Sequence, residues 1–494
     1  MLGIFSSTDG LSRVSSADLR QVLASLAEQP PREAAQLITQ WLGALARSDN
    51  LPPAQQLTML HQIDVAAHTL SRALDQEFFR SVERDDDDVD LWRGAREMYS
   101  GLGLAYEVCM NRLQTEEAGT AQFRMSLPRV ASRLIRAWRT RLKWDYYRYG
   151  PYDHSLWQAV GMAYLAAVEA GLATRETSDS GGTETTTVER EYMHTIAYHT
   201  SIPEALAPRE IEAADLLVGY FVPNFILTLD PEPSSTHWLD AAQPQPPLRL
   251  VRKPQPVATQ RYVCAAAASD AADALRQCIA GGAAPPDLKL NPDIPPALVD
   301  QILGHFATHW SPQQPLRRNR RHAMHGPLTV TNGLARIHHV LRGAQAPESA
   351  LTHRWEMADA SLGGIGAIAP IAGADWVRVG TLVGLQPDNG AWMLGVVRRF
   401  MRGRDARGTI GIETLAMRPT ALEVFGYGAP KEALALDAIR NNEEVRMALG
   451  RSEFAPGVPL HASFQGRHIR LEPIELVESG IDFDIGRFRV VDFV

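Results

Sequence analysis

The apolar residues of this chain change their period partway along, and that change most constrains what the chain can fold into. From Ser16 to about Tyr220 they recur three and four residues apart, in a stretch dominated by Ala and Leu, which puts an apolar stripe on each of a series of helices. Ser16-Ala17-Asp18-Leu19 signals the first, with Leu19, Val22, Leu23 and Leu26 on one face, Pro30-Pro31 opens a second, and Pro52-Pro53 opens a long one towards Arg84. From Leu328 the pattern alternates instead. Leu328–Thr331, Ala335–Leu341, His353–Met357, Gly366–Ile368, Val377–Leu385, Trp392–Phe400 and Thr409–Thr414 are short and separated by Gly, Pro, Asn or Asp, which predicts strands, and barrel closure would satisfy their edges.

Between these regimes, Asp230–Pro256 is rich in proline and reads as a connector, with a short strand near Leu248–Val251. A strand at Arg261–Cys264 and helices at Asp270–Ile279 and Pro296–Trp310 follow. Beyond Leu415 the pattern predicts a helix over Glu432–Asn441 and strands at Val458–Phe464, His468–Ile474 and Arg487–Phe493.

Charge singles out the start of the alternating region. The chain has a formal net charge of −8, yet Gln301 to Pro347 holds no Asp or Glu and carries Arg317, Arg318, Arg320, Arg321, Arg336 and Arg342. A basic pocket in an acidic protein suits a small polyanion better than a long nucleic acid, which the remaining surface would repel. Arg317 and Arg321 form an R-x-x-x-R pair, and Asp359-Ala360-Ser361-Leu362-Gly363-Gly364 forms a D-x-S-x-x-G turn. An arginine fork bonds two phosphate oxygens, pairs with guanine O6 and N7, or stacks on a base. An Asp-x-Ser turn adds a carboxylate that accepts from guanine N1–H and N2–H2 and a hydroxyl that donates to phosphate or base, while Gly363 and Gly364 let the backbone turn tightly. Together they describe a pocket for an anionic, guanine-bearing ligand. Each half alone has a bland reading, as a solvated basic linker and as an Asx-type turn.

In their order, these motifs make the region from Pro315 to Leu415 resemble the PilZ domain family, bacterial receptors for cyclic di-GMP. In that family R-x-x-x-R lies on the segment entering a six-stranded antiparallel β-barrel, D-x-S-x-x-G closes an early hairpin, and later strands read like Gly395-Val396-Val397-Arg398-Arg399 and Gly411-Ile412-Glu413-Thr414-Leu415. The resemblance implies that Arg317 and Arg321 bind phosphates and guanine edges, that Asp359 and Ser361 hold a guanine, and that Gly364 shapes the turn. Arg318, Gly363, Arg398 and Arg399 are further candidate ligand-binding residues. The interval from Arg321 to Asp359 exceeds the family's, and Arg342–Ala350 reads as a lengthened hairpin loop.

The expected fold class is thus α+β multidomain: an all-helical N-terminal half, a PilZ-like antiparallel β-barrel and a small β-rich C-terminal segment. The expected domains are residues 1–228 (helical), 229–314 (Pro-rich connector and small mixed α/β segment), 315–416 (barrel) and 417–494 (appendage). The resemblance implies a cytoplasmic cyclic di-GMP effector that couples ligand binding to rearrangement or partner binding by the helical domain, in the sphere of biofilm and motility control. A PilZ-like adaptor that binds protein without the ligand is the alternative.

Other features carry blander readings. Asp85-Asp86-Asp87-Asp88 lacks the alternating ligands and central Gly of an EF-hand and reads as a solvated connector. Trp157-x-x-Val160-Gly161-x-x-Tyr164 matches the first helix of a tetratricopeptide repeat, but Ser178–Gly182 follows where a second helix belongs. Arg133–Tyr149 is basic and aromatic, with Leu134, Trp138 and Leu142 on one face, so its arginines are expected on a solvated opposite face and its aromatics against a core or partner. His194 and His199 are five apart with no adjacent Glu, which favours structural histidines over a metal site. No Walker loop, G-x-S-x-G elbow, H-E-x-x-H or paired-carboxylate motif points to an enzyme. No catalytic residue, metal or cofactor is expected. Cys109, Cys264 and Cys278 form no disulfide or zinc pattern, and neither a signal peptide nor a membrane-inserted helix is expected.

Overall fold

The computed structural model describes residues 16–493 apart from 49, 85–87, 116–118, 179–184, 284, 286–287, 289–293, 314–320, 344–351, 371, 373–375, 389, 404 and 427–428. The chain divides into two compact units, one of residues 1–148, 152–203 and 208–315, the other of residues 149–151, 204–207 and 316–494.

In the first unit, α1 (Ser16–Ser25), α2 (Pro31–Ala46), α3 (Pro53–Glu83), α4 (Val89–Thr115), α5 (Gly119–Tyr147), α6 (Ser155–Glu169), α7 (Val188–Thr200) and α8 (Pro208–Phe221) follow one another. The prolines that open α2 and α3 sit at the first helical position, where their missing N–H removes no helical bond. On α2 the buried residues Ala34, Ile38, Trp41, Leu42 and Leu45 follow the helical period read from the sequence. α4 packs on α5 at a glycine, since a Cβ on Gly103 would stand 2.4 Å from the Trp138 ring. A short hairpin, β1 (Thr177–Ser178) with β2 (Thr185–Thr186), follows α6 in place of a second repeat helix. Gly161 of the repeat-like signature is required locally, because a Cβ there would lie 1.9 Å from the Ala241 carbonyl oxygen. Of the Asp85–Asp88 run, only Asp88 lies within the described residues, and its Oδ1 accepts from the Leu91 N–H at 2.9 Å at the start of α4.

The cations of α5 overturn their sequence reading. Arg133, Arg139, Arg141 and Lys143 are buried rather than solvated. Arg133 bonds Asp64 at 2.9 Å, Arg136 and Arg139 share Glu191, Arg141 and Arg96 share Asp145, and Lys143 bonds Glu212 at 2.5 Å. Arg141 finds Asp145 four residues on in α5 itself, but the partners of Arg133, Arg139 and Lys143 are carboxylates on α3, α7 and α8, remote in sequence, which no pattern within α5 reveals. The aromatic cluster is core: Trp144, Tyr146, Tyr147 and Tyr149 are all buried. His194 bonds Asp215 at 3.1 Å and His199 meets the Tyr146 hydroxyl, as structural histidines do.

The unit continues with β3 (Ile226–Thr228), β4 (Ser235–Asp240), β5 (Leu248–Arg249) and β6 (Gln260–Cys264), in sheet order β3-β6-β4-β5, and with α9 (Ala266–Ala280) and α10 (Pro296–Trp310). Phe221, Phe225, Phe306 and Trp310 pack together where α8 and α10 meet this sheet. No helix among the described residues is long and apolar enough to cross a membrane.

The second unit holds two closed six-stranded antiparallel barrels. The first is formed by β7 (His322–Asn332), β8 (His353–Ser361), β9 (Gly364–Pro370), β10 (Leu382–Pro387), β11 (Met393–Arg402) and β12 (Arg407–Ala416), in order β10-β11-β12-β9-β8-β7. Closure leaves no exposed edge. The strand expected at Ala335–Leu341 is instead α11 (Leu334–Leu341). Gly333, at φ +81°, ends β7, and Leu334, Ile337 and Leu341 then fall on one helical face against an apolar core. Part of the lengthened interval before Asp359 is therefore a helix, while residues 344–351 of the expected loop lie outside the described residues.

The β-rich C-terminal segment closes into a second barrel: β13 (Thr420–Phe425), β14 (Lys431–Ala435), β15 (Glu444–Gly450), β16 (Leu460–Phe464), β17 (Arg467–Ser479) and β18 (Phe483–Phe493). The helix expected at Glu432–Asn441 is strand β14. Ala433 and Ala435 point into this barrel's own core, while Leu434 and Leu436 join Ile337, Leu382, Leu394 and Phe483 in a core between the two barrels. A strand buried on both faces reads as a continuous apolar run, which periodicity alone does not distinguish from a helix.

Candidate functional site

The two sequence motifs meet at the end of the first barrel where β7 begins. Arg321, immediately before β7, places Nη1 3.0 Å from Asp359 Oδ1 and 3.2 Å from Oδ2. Their side chains are 37% and 32% exposed, so the pair is a surface salt bridge contributing about 0–1 kcal/mol, weak enough for a ligand to exchange. Arg317 and Arg318 lie outside the described residues.

Asp359 and Ser361 end β8, and Gly364 starts β9, so the D-x-S-x-x-G motif closes the β8–β9 hairpin. Ser361 Oγ donates to the Gly364 carbonyl at 3.3 Å, and the Thr414 N–H donates to the Gly363 carbonyl at 3.2 Å, which ties the turn to β12. Gly364 lies hard against that strand, since a Cβ there would stand 2.4 Å from the Ile412 carbonyl oxygen.

Strand register extends the site. Asp359 faces Gly366 across β8–β9, Gly366 faces Gly411 across β9–β12, and Gly411 faces Arg399 across β12–β11. Bulges between Met357 and Asp359 and between Val397 and Arg399 keep these four residues in one row. Ile365, Ala367, Ile410 and Ile412 fill the barrel interior, so the row lies on its outer surface. Two residues without side chains thus form a floor between Asp359 and Arg399, three strand spacings or about 14 Å apart. The Asp359 carboxylate lies over Gly366 at one end of this floor, and Arg399 stands beyond Gly411 at the other.

The neighbouring row runs Ser361, Gly364, Glu413. Glu413 accepts from Arg398 Nε at 2.7 Å, and Arg398 Nη1 and Nη2 bond both oxygens of Glu478, on β17 of the second barrel, at 2.6 and 2.9 Å. Arg399 Nη2 is 3.7 Å from Glu204 Oε1, and its side chain is 58% exposed. The structure therefore brings Arg321, Asp359, Ser361 and Gly364 together, with Arg399 across the glycine floor and Arg398 committed to two carboxylates.

The motif reading missed Gly366, Gly411, Glu413 and Glu478. For the glycines a signal exists, Gly364-Ile365-Gly366 and Ile410-Gly411-Ile412, in which glycine occupies outward positions of strands whose inward positions are apolar. For the two glutamates only the pairing of strands and barrels reveals the role.

No curated protein and no solved structure matches the chain. The family comparison falls on the half that the sequence reading left without a family: residues 17–232, which hold α1 to α8, match the family model described as cyclic-di-GMP receptor FimW, N-terminal domain.

Proposed function

We propose that this chain is a cytoplasmic, PilZ-type cyclic di-GMP effector that binds its ligand on the first barrel and couples occupancy to partner recognition by the helical half. Two independent supports converge. The helical half matches a family named for a cyclic di-GMP receptor, and the barrel sets Arg321 on Asp359 at one end of a glycine floor.

The Arg321–Asp359 pair is the observation that carries this reading. In this pair each neutralises the other. On binding, the Asp359 carboxylate accepts from guanine N1–H and N2–H2, which frees the Arg321 fork for a phosphate or for guanine O6 and N7. Gly366 and Gly411 leave room for the purine ring, and Arg399 meets the far end of the ligand. Arg317 and Arg318 supply further positive charge in the sequence just before β7. The role is binding, with no bond made or broken in the ligand.

Calorimetric titration of cyclic di-GMP into the wild type, the Arg317→Ala/Arg321→Ala variant and a GTP control tests this. Saturable binding in the wild type, lowered by two orders of magnitude or more in the variant at about 1–3 kcal/mol per arginine–guanine pair, is the expected result. A wild type that releases no heat and shows no binding removes the receptor reading.

A further inference from the structure

Arg398 and Glu478 join the candidate site to the second barrel in a way that a bound anion must disturb. Arg398 stands at the β11 bulge, and Glu478 stands at a β17 bulge between Leu476 and Glu478, so two local irregularities aim the side chains at one another. The Arg398 fork spans both oxygens of Glu478 while its Nε holds Glu413. Glu413 faces Gly364 of the ligand turn, two strand spacings or about 10 Å from Ser361. The guanidinium therefore lies within the surface over which a dinucleotide seated on Asp359 and Ser361 extends.

Two carboxylates on one guanidinium leave a local surplus of one negative charge. A phosphate arriving there is repelled until one carboxylate leaves. Phosphate and carboxylate accept the same two-pronged bond from arginine, so the exchange needs no new geometry. Glu413 belongs to the first barrel and Glu478 to the end of β17 in the second, so displacement of Glu478 is the exchange that reaches the second barrel. The chain just beyond Glu478 fastens the barrels together: the Ile481 N–H donates to the Gly380 carbonyl at 3.1 Å, and Asp482 Oδ1 accepts from the Leu382 N–H at 3.2 Å.

We propose that Glu478 competes with the bound anion for Arg398, so that ligand on the first barrel loosens residues 476–482 and weakens the fastening of the second barrel. The inference rests on the receptor reading above. It makes the second barrel the part of the molecule that senses occupancy.

The test is hydrogen–deuterium exchange on the full chain with and without saturating cyclic di-GMP, alongside calorimetry of the wild type and Glu478→Gln. Expected are exchange in residues 476–482 raised several-fold by ligand in the wild type, the same segment already faster in ligand-free Glu478→Gln, and ligand affinity about five- to tenfold tighter in that variant. Saturable binding with exchange unchanged in 476–482, or with Glu478→Gln binding no tighter than wild type, overturns this inference and leaves the receptor reading intact. A wild type without binding overturns both.

Discussion

The carboxylate of Asp359 lies over the bare backbone of Gly366: a Cβ on Gly366 would stand 2.7 Å from Asp359 Oδ1. These two residues face one another across β8 and β9. Gly366→Ala should therefore swing Asp359 away while leaving the barrel intact, because what must yield is the end of a side chain. Cyclic di-GMP affinity is expected to fall at least tenfold with the melting temperature little changed. Gly364→Ala meets the Ile412 backbone instead, and overpacking against a strand should lower stability by about 1–3 kcal/mol. Titration and thermal melts of both variants separate the two effects, and equal stability losses would contradict this account of Gly366.

Glu191 holds Arg136 and Arg139 together inside the helical unit, with Thr186 Oγ1 donating to it at 2.8 Å. Burial disfavours its ionised form, but the two guanidinium groups win and hold it well below the usual carboxylate range. Glu191→Gln removes the carboxylate that both guanidinium groups share, leaving Asp215 at 3.7 Å from Arg139, and should destabilise by about 3–5 kcal/mol. Denaturant midpoints measure it, and a change under 1 kcal/mol would show these arginines to be solvated after all.

Asp75 behaves oppositely. Burial pushes its carboxyl up to about 7, Lys143 beside it opposes that rise, and the nearby Glu212 carboxylate adds to it. The folded state thus holds a proton that the unfolded chain releases near pH 4. The stability this contributes is complete below about pH 4 and is lost as pH rises through about 7, by up to about 1.4 kcal/mol per pH unit. Wild type should therefore lose stability between pH 4 and 7 more steeply than Asp75→Asn. Parallel stability curves for the two would count against the assignment.

Leu434 is fully buried between the barrels, with Ile337, Leu382 and Phe483 around it. Leu434→Ala should lower stability by about 2–5 kcal/mol, the range for a truncated core leucine. The measurement is chemical denaturation of the full chain. A near-neutral result would mean that this face of β14 is not packed against the first barrel.

Local chemistry determined much of this protein within the sequence. Pro31, Pro53 and Pro296 open helices because a residue without an N–H fits the first turn. The alternation around Ile410 and Ile412 gives β12, because successive side chains on a strand face opposite ways. Arg321 and Asp359 were legible as a pair of motifs for the same reason: their side-chain chemistry is short-range and their order is written in the chain.

Tertiary structure decided what depends on remote partners. Leu334–Leu341 became a helix because a core between the barrels accepts Leu334, Ile337 and Leu341, and Lys431–Ala435 became a strand because both its faces found apolar surroundings. Arg133, Arg139 and Lys143 of α5 are buried because carboxylates from α3, α7 and α8 reach them. Gly366 and Gly411 form a floor only once β8, β9, β12 and β11 are paired in register. Each of these outcomes turns on burial and pairing across long sequence separations, which a local pattern does not encode.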